Sequence, residues 1–195
     1  VTIEENTSDW AEYAHLVLSG GLFGDCTSLT SLYIPASVKE IETRAFEGCV
    51  NLTSITVSEK STTFSCDEAG NIYNKAQTEL VCYLNRQGDT VYVPEGVVGL
   101  KFGAFQGCTW LKEIHLPEGL EFIGSCAFSG CSGLQELEVP ASVETLYADA
   151  FSACDELRNI YVYPTECMIL NNGFFGNEFT VVWGYENSSV QVYAQ

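Results

Sequence analysis

The chain has 195 residues, of which 46% are hydrophobic, and carries 26 acidic against 8 basic residues for a net charge of −18 at pH 7. This composition permits a buried core and excludes a disordered chain. Eight scattered cations can neither neutralise a phosphate backbone nor match an anionic bilayer, so we expect no nucleic-acid partner and no direct membrane insertion. No apolar run approaches the ~20 residues of a membrane-spanning helix.

The chain begins with a segment that follows no regular pattern. We interpret residues 1–22, VTIEENTSDWAEYAHLVLSGGL, as a degenerate N-terminal cap. Trp10 and Tyr13 are expected to cover the apolar end of the core there. His15 lies in the same segment, and we interpret it as a solvated or capping side chain rather than a ligand.

From Phe23 onwards a 23-residue unit recurs. Each unit begins with Phe-x-x-Cys and has Leu six residues after the Phe. Aliphatic residues follow at nine and eleven residues after the Phe, and a proline often comes next. The five copies of the motif are Phe23–Cys26, Phe46–Cys49, Phe105–Cys108, Phe128–Cys131 and Phe151–Cys154. About eight positions recur in these copies, which is typical of a repeat protein.

The pattern within a unit predicts a short strand. The end of Leu-x-x-Ile-x-Ile alternates with a period of two, which indicates a strand with one buried face. The following proline cannot donate to a strand ladder and therefore ends the strand. An apolar pair three residues apart, such as Val143 and Leu146, then returns toward the core. One coil cannot bury its own apolar face, so the coils are expected to stack.

The unit resembles the BspA-like, or treponemal-type, subclass of leucine-rich repeats, whose pattern reads approximately AFxxCxxLxxIxIPxSVxxIGxx. Residues 34–57, IPASVKEIETRAFEGCVNLTSITV, follow it closely. The resemblance implies a right-handed leucine-rich-repeat solenoid of the α/β class by repeat type but mostly β, with 23-residue coils and one parallel sheet on the concave side. It also implies a secreted or cell-surface bacterial protein without catalytic activity, its signal peptide already removed ahead of Val1.

One coil departs from the period. Val57 and Val93 hold the same strand position but lie more than one repeat apart, so the irregular coil over 58–92 carries extra residues. Within it, Ile72–Tyr73 and Leu80–Tyr83 flank the polar NKAQT, which predicts a β-hairpin insert.

Residues 164–195 are predicted to form a C-terminal cap. The last part of this segment, residues 180–195 with the sequence TVVWGYENSSVQVYAQ, resembles the terminal unit of the family, in which a strand is followed by a short capping helix. Ser188 or Ser189 would be the N-cap of that helix. Because each coil contacts only its neighbours, we interpret residues 1–195 as a single leucine-rich-repeat domain.

Nine cysteines are present. The five motif cysteines hold one place in successive coils, which favours a column of reduced thiols in the core, where cysteine behaves as a small hydrophobe. A disulfide within the column and a metal site remain alternatives, although a straight column does not converge as a tetrahedral zinc site requires. Cys66 and Cys82 flank the hairpin and form a candidate disulfide. Cys126 is expected to be partly exposed, and Cys167 also lies off the column.

The outward strand positions are the candidate binding residues. A rigid, contiguous sheet face is where solenoids bind partners, and tyrosines there could stack on sugars or anchor a protein loop. The alternative is that β-rich surfaces favour Tyr and Thr regardless of function. The positions are Tyr33, Thr56, Tyr92, His115, Glu138 and Tyr161.

These observations predict an adhesin-like surface module that binds a protein or a glycan, a host molecule among the candidates, through its sheet face. The alternative is a passive spacer or stalk in a larger surface protein. No Ser/His/Asp or Cys/His triad can be assigned, because the motif cysteines face inward while His115 faces outward. We therefore expect no enzyme activity, no metal and no cofactor, and we expect a monomer.

Overall fold

The structure, a computed structural model, describes residues 15–42, 44–84, 88–170, 177–186 and 188. The chain divides into two compact units, residues 1–85 and residues 86–195, and each is described by itself. The expected cap residues Trp10 and Tyr13 lie outside the described residues, as do Ser189 and the rest of the segment in which the capping helix was expected.

Seven strands are described in unit 1. The parallel pairs are β1 (Leu16–Leu18) with β3 (Val38–Ile41), and β2 (Ser31–Ile34) with β4 (Ser54–Val57). An antiparallel meander follows, made of β5 (Phe64–Cys66), β6 (Ile72–Asn74) and β7 (Glu79–Cys82). The hairpin predicted around NKAQT is therefore confirmed as β6 and β7. The third strand, β5, was not predicted.

The described part of unit 2 contains nine strands, and all of their described pairings within the unit are parallel. Along one side run the pair β8 (Thr90–Tyr92) with β10 (Glu113–His115), and the sheet β12 (Glu136–Val139), β14 (Asn159–Val162) and β16 (Val181–Gly184). Along the other side lie β9 (Gly99–Leu100), β11 (Phe122–Ile123), β13 (Thr145–Tyr147) and β15 (Met168–Leu170), paired in that order. A 3-10 turn, Ala148–Phe151, follows β13.

Stacked coils of one repeat each explain these pairings. Leu137 on β12 pairs with Ile160 on β14, and Phe122 on β11 pairs with Thr145 on β13, and in both pairs the partners are one repeat apart along the chain. The prediction of a mostly β stack of 23-residue coils is confirmed. The sequence predicted one parallel sheet, whereas the structure has a second one. The return segment after each proline also pairs with its counterpart in the next coil.

A column of phenylalanine rings fills the core of unit 2. Phe105, Phe128 and Phe151 are fully buried, with ring centroids 5.3 Å and 5.7 Å apart in successive pairs and nearly parallel planes. Two residues after each motif phenylalanine the backbone turns left-handed, with φ of 73° at Gly107 and 76° at Gly130. Glycine adopts this conformation without a Cβ penalty, which lets the chain reverse tightly beside the ring column.

Three of the five motif cysteines tie their coil to the one before it. The thiol of Cys131 donates to the carbonyl oxygen of Phe105 at 3.1 Å, and that of Cys154 donates to Phe128 at 3.1 Å. In unit 1, Cys49 donates in the same way to Phe23 at 3.0 Å. Each of these thiols is buried. Each of these phenylalanine carbonyls already accepts one hydrogen bond from an amide of its own turn. The buried thiol of the next coil supplies a second one, so the carbonyl is fully satisfied inside the core.

Cys26 differs from the inward position expected for it. Its side chain is exposed, because it belongs to the first coil of the column and no described residue offers its thiol a preceding phenylalanine carbonyl. In unit 2, Asn177 holds the position one repeat after Cys154. Its amide nitrogen donates to the carbonyl of Cys154 at 2.8 Å and to that of Leu157 at 3.1 Å, so the last coil is also tied to the preceding one, but through different carbonyls.

The candidate disulfide between Cys66 and Cys82 is wrong. Cys66 on β5 and Cys82 on β7 both pair with Ile72 on β6, from opposite sides. Their Cα atoms are therefore separated by two strand spacings, about 10 Å, whereas a disulfide requires less than ~7 Å. Cys126 is half-buried, as expected.

Candidate binding face

The outward side chains of β8, β10, β12, β14 and β16 form one surface of unit 2, which we call the outward face. Alternation along the strands produces it: in β12, Leu137 and Val139 are buried while Glu136 and Glu138 are exposed. Four of the six positions predicted from sequence lie on this face, namely Tyr92, His115, Glu138 and Tyr161. The other two, Tyr33 and Thr56, pair with each other on β2 and β4 of unit 1.

The first part of the outward face is a ring pair. Tyr92 is 73% exposed, and its ring stacks on the imidazole of His115 with centroids 4.5 Å apart and planes 10° apart. His115 Nε2 lies 3.0 Å from Glu113 Oε1, and Thr90 donates its hydroxyl to Glu113 Oε2 at 3.1 Å. This network fixes the plane of the imidazole, and one of its faces is already covered by Tyr92.

A second ring pair lies on the last two strands. Tyr161 pairs with Trp183, and their rings stack with centroids 6.3 Å apart and planes 14° apart. The indole nitrogen of Trp183 donates to Asn159 Oδ1 at 3.0 Å, which fixes the ring. Glu138 pairs with Tyr161 from the other side. Along the chain, the outward positions thus read Tyr92, His115, Glu138, Tyr161 and Trp183.

Sequence reasoning missed Trp183. The spacing from Tyr161 to Trp183 is one position shorter than the repeat, so a strict count from Tyr161 arrives at Gly184 instead. The signal available was the run Val181–Trp183, in which two β-branched residues and an aromatic one match the strand preference of the preceding copies.

Two hollows lie on the outward face, and they share Tyr163. A small aromatic notch of about 140 Å³ is lined mainly by Tyr161, Tyr163, Trp183 and Tyr185. Tyr163 also lines a second hollow of about 320 Å³, which we call the acidic pocket. Its other lining side chains include His115, Pro140 and four carboxylates, Glu113, Glu118, Glu136 and Glu138. Desolvation and the neighbouring Glu138 carboxylate raise the pKa of Tyr163.

The charge of the outward face is predominantly negative. Among the residues that the structure describes, no lysine or arginine lines the acidic pocket. The two cations of the neighbouring groove are already paired: Lys112 with Asp89 at 3.0 Å, and Arg158 with Glu156 at 3.8 Å. The Lys112 ammonium lowers the pKa of Asp89. The acidic pocket therefore presents carboxylates and ring surfaces to solvent without a compensating side-chain cation.

Within the part of the chain that the structure describes, no group of three or more His, Cys, Asp or Glu side chains is arranged to hold a metal ion. The described residues likewise include no helix with the length and apolar character needed to cross a bilayer. What the outward face offers chemically is recognition: fixed rings, carboxylates and a rigid strand backbone.

Comparison with known proteins identifies the repeat. The sequence model of the family described as "BspA type Leucine rich repeat region" matches six copies, over residues 17–73 and 79–183. Curated proteins give no match.

Two solved structures are similar to this chain. The pneumococcal vaccine antigen PcpA is 26% identical with a TM-score of 0.69, over 82% of this chain and 40% of that one. A leucine-rich cell surface protein from Faecalibacterium prausnitzii A2-165 is 22% identical with a TM-score of 0.64, over 99% of this chain and 61% of that one. This chain thus spans less than two thirds of the length of either.

Proposed function

Because the chain belongs to the BspA-type leucine-rich-repeat family, we propose that it is a secreted or cell-surface bacterial module that binds a protein or glycan partner through the outward face of unit 2, without catalysis. The surface location is supported by the two similar structures, one a vaccine antigen and the other a cell surface protein.

The observation that carries this proposal is the exposure of large rings held in fixed orientations. Tyr92 is 73% exposed and Trp183 is 52% exposed, yet each is stacked against a neighbour on the adjoining strand. Preorganised aromatic side chains dominate binding energy at protein interfaces, because they bury a large area and lose little conformational entropy. A spacer needs no such arrangement.

The test is a screen of the purified chain on a panel of secreted host proteins and on a glycan array. Any saturable hit is then repeated with the triple variant Tyr92→Ala/His115→Ala/Tyr161→Ala, and we expect binding to fall at least tenfold. The matched control is Phe102→Ala/Tyr147→Ala/Met168→Ala, which removes three side chains that are not on the outward face. Binding that survives the first variant unchanged contradicts the sheet-face proposal, and the absence of any hit favours the spacer.

A further inference from the structure

We propose that the partner recognised by the outward face is a basic protein segment, and that one of its arginine side chains enters the acidic pocket above Glu138. This inference rests on the proposed function and specifies the chemistry of the partner.

The stacking order of the rings defines a slot. Tyr92 covers one face of His115, and Trp183 covers one face of Tyr161. The remaining face of each ring is turned toward β12, the strand that carries Glu138 and that lies between β10 and β14 in the order of coils. Two strand spacings separate the rings, about 10 Å. On the His115 side this slot opens into the acidic pocket, which His115 and Glu138 both line, so a planar cation there would stack on the imidazole and pair with the Glu138 carboxylate. Tyr161 lies on the far side of Glu138.

The charges around this slot favour a cation. Among the described residues, four carboxylates and no lysine or arginine line the acidic pocket. The two cations of the neighbouring groove, Lys112 and Arg158, are engaged with Asp89 and Glu156. A positive side chain would bring the counter-charge that the pocket lacks. Since the whole chain carries a net charge of −18, a basic partner would also be steered toward it over long range.

Ring surfaces favour arginine over lysine. A guanidinium group is flat, stacks on aromatic faces and binds a carboxylate with two parallel hydrogen bonds, whereas an ammonium group is a compact and strongly hydrated charge. The aromatic notch shares Tyr163 with the acidic pocket. It therefore lies beside the slot, where the aliphatic stem of the same side chain can pack on apolar ring surface.

A neutral glycan fits the same surface less well. Sugars stack on open ring faces, but each ring pair covers one face of both of its members. The faces that remain open at the centre of the outward face lie beside Glu138, so a ligand stacked on them also meets a carboxylate. A neutral sugar would also leave the carboxylates of the pocket without a counter-charge.

The test uses fluorescein-labelled peptides of repeated Arg-Gly-Ser and of repeated Lys-Gly-Ser, with fluorescence anisotropy as the readout. We expect saturable binding of the arginine peptide, at least threefold tighter than the lysine peptide, and weakening when NaCl is raised from about 0.05 M to about 0.5 M. The variant Glu136→Lys/Glu138→Lys should weaken binding at least tenfold.

The matched control is Glu121→Lys/Glu144→Lys, at exposed positions beside β11 and β13 on the other side of the coils. Each replacement changes the charge by two, so both double variants carry −14 instead of −18. Binding to the control should stay within twofold of wild type. Equal weakening in both variants would show that net charge alone attracts the peptide and would overturn the pocket. Glu136→Gln/Glu138→Gln, with its circular dichroism spectrum recorded, repeats the test without introducing positive charge.

The outcomes separate the two proposals. A host protein or glycan that binds in a Tyr92-dependent manner, while the arginine peptide does not bind, overturns this inference and leaves the proposed function standing. If the panel, the array and the peptides all give no saturable binding, both proposals are wrong.

Discussion

Replacing Phe128 with alanine should produce a large loss of stability in unit 2. Phe128 is fully buried between Phe105 at 5.3 Å and Phe151 at 5.7 Å. A buried Phe→Ala change costs about 3–5 kcal/mol of unfolding free energy. Each aromatic contact adds ~0.5–1.5 kcal/mol beyond the buried area, and Phe128 loses two. We therefore expect a value near the upper end, about 5 kcal/mol.

Two variants calibrate that figure. Phe46 is only half-buried and stacks on one ring, that of Phe23, at 6.0 Å, so Phe46→Ala should cost about 2 kcal/mol. Phe128→Leu keeps most of the volume and should cost about 1.5 kcal/mol.

The assay is amide hydrogen exchange followed by mass spectrometry, because it resolves coils and does not require the two units to unfold together. Since each coil contacts only its neighbours, the loss of protection in Phe128→Ala should be greatest in the peptides around Phe105, Phe128 and Phe151 and should decline away from them. If Phe128→Ala loses no more protection than Phe46→Ala, the ring column does not hold the coils together and the reasoning is refuted.

Three further predictions concern thiols and a tight contact. Iodoacetamide at pH 8 should label the exposed Cys26 in the native chain, but Cys154, where burial raises the pKa to about 12, only after unfolding; native labelling of Cys154 would contradict the buried column. That raised pKa means the folded state holds its proton more tightly than the unfolded state. The contribution of this thiol to stability should be fully present below about pH 8.5 and should be lost as the pH rises toward 12. The melting temperature should fall over that range, and Cys154→Ala should make the fall shallower. A Cβ at Gly99 would meet the ring of Phe122, so Gly99→Ala should cost about 1–3 kcal/mol of unfolding free energy, measured by urea unfolding. If the costs of Gly99→Ala and Phe122→Ala simply add in the double variant, the two residues are not in contact.

The repeat made most of the fold predictable. Alternation in segments such as Glu136–Val139 specifies a strand with one buried face, and the regular period of the repeat specifies its partner. The second sheet could not be predicted in the same way. Its strands can be as short as Gly99–Leu100, and two residues carry no alternation. Their pairing follows from the stacking of the coils rather than from local sequence.

The site was less predictable than the fold, because one site residue departs from the repeat period and others depend on what the adjacent coils and strands contribute. Trp183 lies one residue short of the period, so counting alone passes over it. Equal spacing likewise placed Cys26 with the buried cysteines, whereas its burial depends on what the preceding coil offers. Cys66 and Cys82 looked pairable because they flank a hairpin, but β6 lies between the strands that carry them. The ring stacking that defines the slot above Glu138 depends on side-chain orientation, which spacing does not encode.

The thiol bonds have a consequence for chain length. Each joins a cysteine to the phenylalanine carbonyl of the preceding coil, as Cys131 to Phe105 and Cys154 to Phe128. The turn amides work in the opposite direction, since the amide of Phe105 donates to the carbonyl of Ala127 and that of Phe128 to Ala150, each in the following coil. A duplicated segment 105–127 would therefore bring one complete set of donors and one of acceptors, matched to the coils on both sides. The backbone bonds thus allow the length of unit 2 to change in whole coils, and with it the distance between its two ring pairs. The copied Phe122 would then face Phe122 rather than Gly99, so this one contact would need a smaller side chain.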